Sequence, residues 1–271
     1  MAGLLWLANL EWKRPPDFGR NQRNGLYKYV DGAVTHRVFG PWSWTVEHVV
    51  LKQYTLFGWT TLLLESALAA LLLLGLWTRP VALLAALNSV AIGLSVLYYP
   101  NEWPWSYYLM IGLHVLLFAT AAGRCVGLDG VRRGGDDARR RAVFVLGVVA
   151  FVIGIISLAL VSSRSFTAHQ GRLVGWSRGE LKLLWFNPLS ALLTAVLGLV
   201  AVLSARLRQA ALGWIAVGGF ALMAVQVLAQ WRYNAGNWTG GVLGGTGSNF
   251  ALWTMFAIGI AACRPTVAAT R

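Results

Sequence analysis

Uncharged or nearly uncharged stretches run along the chain at residues 55–77, 80–98, 106–122, 142–163, 188–204, 211–231 and 249–263. The hydrocarbon core of a bilayer is roughly 30 Å thick and takes about 20 helical residues to cross. The runs therefore predict seven membrane-spanning helices, the last of them short. An eighth is implied at the start, where Ala2 to Leu10 is apolar. At about 1.5 Å per residue it reaches less than half the bilayer before Glu11 and Lys13 interrupt it. It lacks the basic opening of a signal peptide. It reads as the outer half of a first span whose beginning is absent from this version of the chain, or else as a short re-entrant or interfacial segment. The fold class expected is all-α, a multi-pass transmembrane helix bundle.

Composition agrees with that pattern. Of 271 residues, 57% are hydrophobic and 12% charged, with a mean hydropathy of +0.58. A soluble domain is about 45–50% apolar and about 25% charged, so a soluble globular enzyme is excluded. The net charge of +13 would point to nucleic acid in a soluble protein. Here the arginines sit between apolar runs, so they read as topology determinants beside membrane lipid, with no nucleic-acid partner. Cys125 and Cys263 form no CxxC pair and predict neither a disulfide framework nor a metal site.

Short loops rich in Lys and Arg face the cytoplasm. Segments 78–79, 123–141, 205–210 and 264–271 crowd eleven arginines, among them the run Arg139-Arg140-Arg141. The opposite loops spread a similar number of positive charges over far more residues. This predicts a cytoplasmic C-terminus and an outer first loop. Most of the 14 tryptophans, including Trp42, Trp44, Trp59, Trp103, Trp105, Trp176, Trp185, Trp231 and Trp238, then fall at the outer side, as an aromatic belt does.

The two halves share a plan. Ser43-Trp44 with Glu47, a span, the turn Thr78-Arg79-Pro80, a span, the loop Tyr99 to Trp103, a span and Gly123-Arg124-Cys125 make up the first. Ser177 with Glu180, a span, Arg206 and Arg208, a span, the loop Tyr233 to Trp238, a span and Cys263-Arg264 make up the second. Two four-helix units in parallel pseudo-repeat follow, residues 1–128 and 142–271, joined by a basic linker at 129–141. Ser177-x-x-Glu180 has capping-box spacing, with Leu181, Leu184 and Trp185 on one face, and predicts a short surface helix before Pro188.

An acid at the bilayer centre costs at least about 2.5 kcal/mol on insertion scales and marks a functional candidate. Glu65 is the one acid inside a predicted span. Glu65, Asn88 with Ser89, and His114 fall within about 2 Å of one depth. Gly58, Thr61, Glu65 and Ala69 share a small, polar helix face suited to inward packing. The second unit has Val196, Ala221 and Phe256 at matching depths, which assigns any site to the first unit. Glu65 and His114 as the catalytic pair, with Asn88 as hydrogen-bonding partner, would pass protons to a quinone head group or along a buried path. The alternative is a neutral Glu65 that only ties three helices together. The outer loop Glu11-Trp12-Lys13-Arg14-Pro15-Pro16-Asp17-Phe18-Gly19, with Trp12, Lys13 and Arg14 as its binding residues, forms a second candidate. It holds an anionic ligand or an ordered loop against the external cap, or else anchors Lys13 and Arg14 at phospholipid head groups.

Trp12-Lys13 with Pro15-Pro16-Asp17-Phe18-Gly19, Glu65 followed by Leu71-Leu72-Leu73-Leu74-Gly75-Leu76-Trp77-Thr78-Arg79, and Ala122-Gly123-Arg124 with Leu128-Asp129 resemble the DoxX/DoxD family. These are four-helix bacterial membrane proteins that include the small membrane subunit of thiosulfate:quinone oxidoreductase. The resemblance covers residues 1 to about 130. It implies a plasma-membrane redox role with quinone as substrate, and a soluble or membrane redox partner subunit. Glu65 matches the family's acidic position. Residues 142–271 depart from the single-unit pattern. A small-molecule transporter and a non-catalytic scaffold for a redox partner are the alternative functions.

Overall fold

The computed structural model describes residues 1–161, 172–174, 183–230 and 242–264. In chain order the helices are α1 (Ala2–Asn9), α2 (Gly25–Thr35), α3 (Gly40–Thr45), α4 (Tyr54–Leu74), α5 (Thr78–Val96), α6 (Pro104–Thr120), the single turns α7 (Gly123–Val126) and α8 (Leu128–Val131), and α9 (Asp136–Val161). A π-helical turn, Val46–Val50, follows α3. Strands β1 (Arg172–Val174) and β2 (Leu183–Trp185) pair antiparallel, and α10 (Pro188–Leu207), α11 (Ala210–Gln230) and α12 (Gly247–Ala262) complete the chain. Helices α4, α5, α9, α10 and α11 are long and apolar enough to cross a membrane, which makes the chain a multi-pass helical membrane protein. Each apolar run of the sequence became one helix, because in hydrocarbon only intrahelical bonds satisfy the backbone of a single segment.

The boundaries follow local chemistry. Helix α4 stops at Gly75, whose φ of 59° lets its N–H and that of Leu76 return to the last turn, a C-terminal geometry that favours glycine. Pro104 and Pro188 sit in the first turns of α6 and α10, where a missing N–H costs nothing. Asn187 and Ser190 form a reciprocal cap at the start of α10, and Thr246 and Asn249 do the same for α12.

Both halves use the same pairing, α1 on α4 and α5 on α6 in one, α9 on α10 and α11 on α12 in the other. The α9–α10 seam is tight because Gly147, Gly154 and Gly198 lie directly against the facing backbone, the close approach that small residues allow. Helix α12 joins the halves by packing on α4 as well as α11. Gly247 lies between Leu10 and Leu62, and Gly259 lies against Leu74, so α12 runs parallel to α4. Its starting level is about 12 Å along α4 from Tyr54. Most of α12, including Trp253, Phe256 and Ile260, is buried. Its brevity is that of a central helix sheathed by others.

Three expectations change. Gly3 packs on Leu73 and Ala69, so α1 runs antiparallel along the C-terminal half of α4. That is the half which the arginine count puts inside, so α1 is not the outer half of a span. Helix α9 starts at Asp136 and takes Arg139–Arg141 into its first turns, leaving a linker shorter than 129–141. Leu183–Trp185 is a strand, because side chains of α12 capture its backbone: Leu184 N–H donates to Ser248 Oγ (2.9 Å) and Trp185 N–H to Asn249 Oδ1 (2.8 Å). The Ser177–Glu180 cap, the Tyr233–Trp238 loop and Trp176, Trp231 and Trp238 lie outside the described residues.

Candidate functional site: a buried ion pair at the α1 exit

After α1 the chain does not leave the bundle. Phe18 inserts its ring into the notch left by Gly58, where a Cβ would lie 2.3 Å from the ring. Tyr54 donates to the Phe18 carbonyl (2.9 Å). Residues 10–18 thus follow α4 from the level of Leu62 to that of Tyr54 as irregular backbone anchored against the protein by the buried Leu10, Lys13, Pro15 and Phe18, while Arg14 and Pro16 stay exposed. Non-helical backbone at membrane depth needs such protein contact. The small face of α4 receives all of it. Ala69 meets Gly3, Glu65 meets Lys13 and Gly58 meets Phe18.

Lys13, one turn beyond α1, folds back into the bundle. Its Nζ donates to Glu65 Oε2 at 2.5 Å and to the Asn9 carbonyl at 3.0 Å. The two side chains are 2% and 1% exposed. The Trp12 ring lies over the ammonium, with the nitrogen 4.1 Å from the ring centre, and Trp12 Nε1 donates to Asn9 Oδ1 (3.1 Å). A buried pair of this kind needs close geometry and further hydrogen bonds to offset desolvation. The lysine has both; the carboxylate is less complete. The Asn88 amide faces Glu65, yet neither Asn88 Nδ2 nor Glu65 Oε1 closes a hydrogen bond.

His114 is also fully buried but belongs to a different contact. Trp6 Nε1 donates to His114 Nε2 (2.9 Å), and His114 Nδ1 lies 2.6 Å from the Met110 carbonyl. The neutral tautomer with its proton on Nδ1 fits both. No hydrogen bond joins Glu65 to His114 among the described residues. The expected catalytic pair is thus divided: α1 lies between α4 and α6 and offers Trp6 to one and the Lys13 turn to the other. Of the second candidate group, Lys13 joins Glu65, Trp12 covers the pair, and Arg14 is exposed.

A second acid, Glu11 of the outer-loop candidate, lies outside every apolar run and is partly buried against the second unit. Glu11 accepts from Thr246 Oγ1 (2.6 Å), from Ser248 Oγ, and from Trp185 Nε1 (3.2 Å). Its carboxylate therefore docks at the first turn of α12, where the helix end favours negative charge. The polar layer consequently includes the second unit, which the depth comparison of Val196, Ala221 and Phe256 had left out. The signal available was the Thr246-Gly247-Ser248-Asn249 run ahead of an apolar helix, a strong N-terminal cap whose donors had to face something.

Above the pair, Trp12 packs edge-on against Tyr29, and Tyr29 tilts against Tyr99. Burial, together with the nearby Glu102 carboxylate, pushes the Tyr29 phenol above its ordinary range. Glu102 also accepts from Tyr107 (2.5 Å). This aromatic lid separates the ion pair from the solvent side of the loop.

Fold and site together define a multi-pass helical membrane protein with an ion pair enclosed in its first half. No protein-family model matches the chain, and comparison with curated proteins and with solved structures finds no match to it.

Proposed function

We propose that the chain is an integral membrane subunit or accessory of a quinone-linked oxidoreductase, of the thiosulfate:quinone type that the DoxX/DoxD resemblance implies. It would lie in a bacterial plasma membrane with its C-terminus cytoplasmic. The observation that carries this reading is the enclosed Lys13–Glu65 pair. Both residues belong to the segments that bear the resemblance. Reducing a quinone to a quinol takes two electrons and two protons. A redox partner subunit that oxidises the donor supplies the electrons, and two protons must reach the quinone oxygens inside the membrane, the pair passing on one at a time and taking up another before the next transfer.

In this mechanism Lys13 and Glu65 share a proton across their 2.5 Å contact, so the pair can stand as two ions or as two neutral groups without stranding a charge. Glu65 Oε1 and Asn88 Nδ2, which complete no hydrogen bond within the protein, are the acceptor and donor left for a substrate oxygen or a relay water. Trp12 and the tyrosines above it keep bulk water from short-circuiting the transfer. His114 positions α1 through Trp6.

The test uses membranes of a bacterial host expressing the full chain, with thiosulfate-driven reduction of a quinone analogue as the readout. Glu65→Gln and Lys13→Met are expected to slow it more than tenfold at matched protein levels, and His114→Ala much less. An undiminished rate in Glu65→Gln overturns the site. Turnover in membranes that is lost on purification marks the chain as a subunit, whereas substrate counterflow in proteoliposomes would move the assignment to transport.

A further inference from the structure

The opposite end of the first unit carries a feature that the redox reading does not use. Gly75, Gly123 and Gly127 are in backbone contact: a Cβ on Gly127 would lie 2.6 Å from the Gly75 carbonyl oxygen, and one on Gly123 would lie equally close to that oxygen. Asp129 N–H donates to the same carbonyl (3.0 Å), and the Asp129 carboxylate accepts from the N–H groups of Trp77 (2.7 Å) and Thr78 (2.8 Å). This junction locks the turn before α5 to the α7–α8 segment. The arginines that follow each piece are thereby brought together.

Between them lies a cavity of about 460 Å³ lined by Arg79, Arg124, Arg132, Arg133 and Arg139. Asp129, the acid among its lining residues, has both oxygens committed to the α5 backbone. No hydrogen bond or ion pair among the described residues engages the guanidinium of Arg124, Arg132 or Arg133. Arg79 is fixed by a bond from its Nε to the Phe118 carbonyl (3.1 Å). Arg139 donates to the Arg132 carbonyl (3.0 Å) and lies 4.0 Å from Asp136 in an ion pair, but its Nε is buried with no partner. A buried N–H without an acceptor implies an oxygen that the protein does not itself supply. Five arginines line this one cavity, and the guanidinium group matches phosphate oxygens in charge and in fork geometry.

We infer that this cavity is a phosphate-ester site occupied by the head group of an anionic phospholipid. The position selects lipid over a soluble phosphate. The cavity lies at the ends of α5 and α6, and Trp77 on its rim is 55% exposed, which places an aromatic ring and the arginines at head-group level. Basic pockets between membrane helices hold anionic head groups in this way. The site is independent of the quinone chemistry and stands whether or not that reading does.

The test is native mass spectrometry of the delipidated full chain, titrated with phosphatidylglycerol or phosphatidylcholine. The wild type should bind phosphatidylglycerol at least tenfold more tightly. Arg124→Gln/Arg132→Gln/Arg133→Gln should remove that preference without changing phosphatidylcholine binding, whereas Arg20→Gln/Arg23→Gln/Arg37→Gln, at the other end, should keep it. The corresponding triple lysine variant retains the charge and guards against misfolding of the glutamine triple. It should show an intermediate preference. Equal binding of the two lipids by the wild type, or equal losses in both glutamine triples, overturns the site. Displacement of phosphatidylglycerol by micromolar inorganic phosphate or pyrophosphate overturns the lipid assignment in favour of a soluble anion.

Discussion

Glu65 and Glu11 are two carboxylates held within the same bundle, the first fully buried and the second partly, and the protein accommodates them in different ways. Glu65 is held by a cation, Lys13, and keeps one oxygen without a closed hydrogen bond. Glu11 meets no cation among the described residues and is held by two hydroxyls, an indole N–H and the first turn of α12. The contrast separates two uses of buried charge. A carboxylate surrounded by neutral donors from another part of the chain is a clamp, because its bonds are saturated and fix the halves in register. A carboxylate paired with an amine that can itself give up a proton, and left short of one partner, keeps the freedom to exchange a proton.

The largest effect that can break this contrast is expected from Lys13→Met. It leaves Glu65 buried without its cation and should cost about 3–5 kcal/mol, read as a lowered unfolding midpoint in detergent. Lys13→Met/Glu65→Leu should recover most of that loss, since removing both charges also removes the desolvation penalty. If the single variant costs no more than Glu11→Gln, the two acids are not held differently. Glu11→Gln should cost about 2 kcal/mol, because one acceptor oxygen becomes an amide donor facing donors. Proteolytic cleavage of the α10 approach near Trp185 should rise with it, and unchanged cleavage would remove the clamp. The smallest effect is expected from Trp6→Phe, which deletes one neutral hydrogen bond to His114 and should cost about 1 kcal/mol. A much larger change in quinone reduction than in stability there would bring His114 back into the chemistry.

Glu65 was legible as a site residue because a lone acid in an apolar run is conspicuous, and the inward face Gly58, Thr61, Glu65 and Ala69 was legible from helical spacing. Lys13 was visible as a residue but not as the partner of Glu65. It lies outside the predicted spans, in a segment that looks like an ordinary outer loop until Phe18 is seen docked at Gly58. The pairing of Glu65 with His114 was inferred from equal depth. Depth fixes a level but not a direction, and α1 lies between the two helices. Glu11 was visible as the end of an apolar stretch and the start of a mixed-charge outer loop, but not as a clamp, since nothing local shows that Thr246 and Ser248 come back to it from the far end of the chain.

Number, position and approximate length of the apolar helices were determined by the sequence alone. Transfer into hydrocarbon is nearly additive over a local window, and each helix satisfies its own backbone. The tertiary structure alone decided which polar groups meet. That depended on α1 lying antiparallel along the C-terminal half of α4, on α12 beginning deep in the bundle rather than at its edge, and on the reach of one lysine side chain. Contacts of this kind join residues far apart in the chain, and such long-range geometry leaves no periodicity to read.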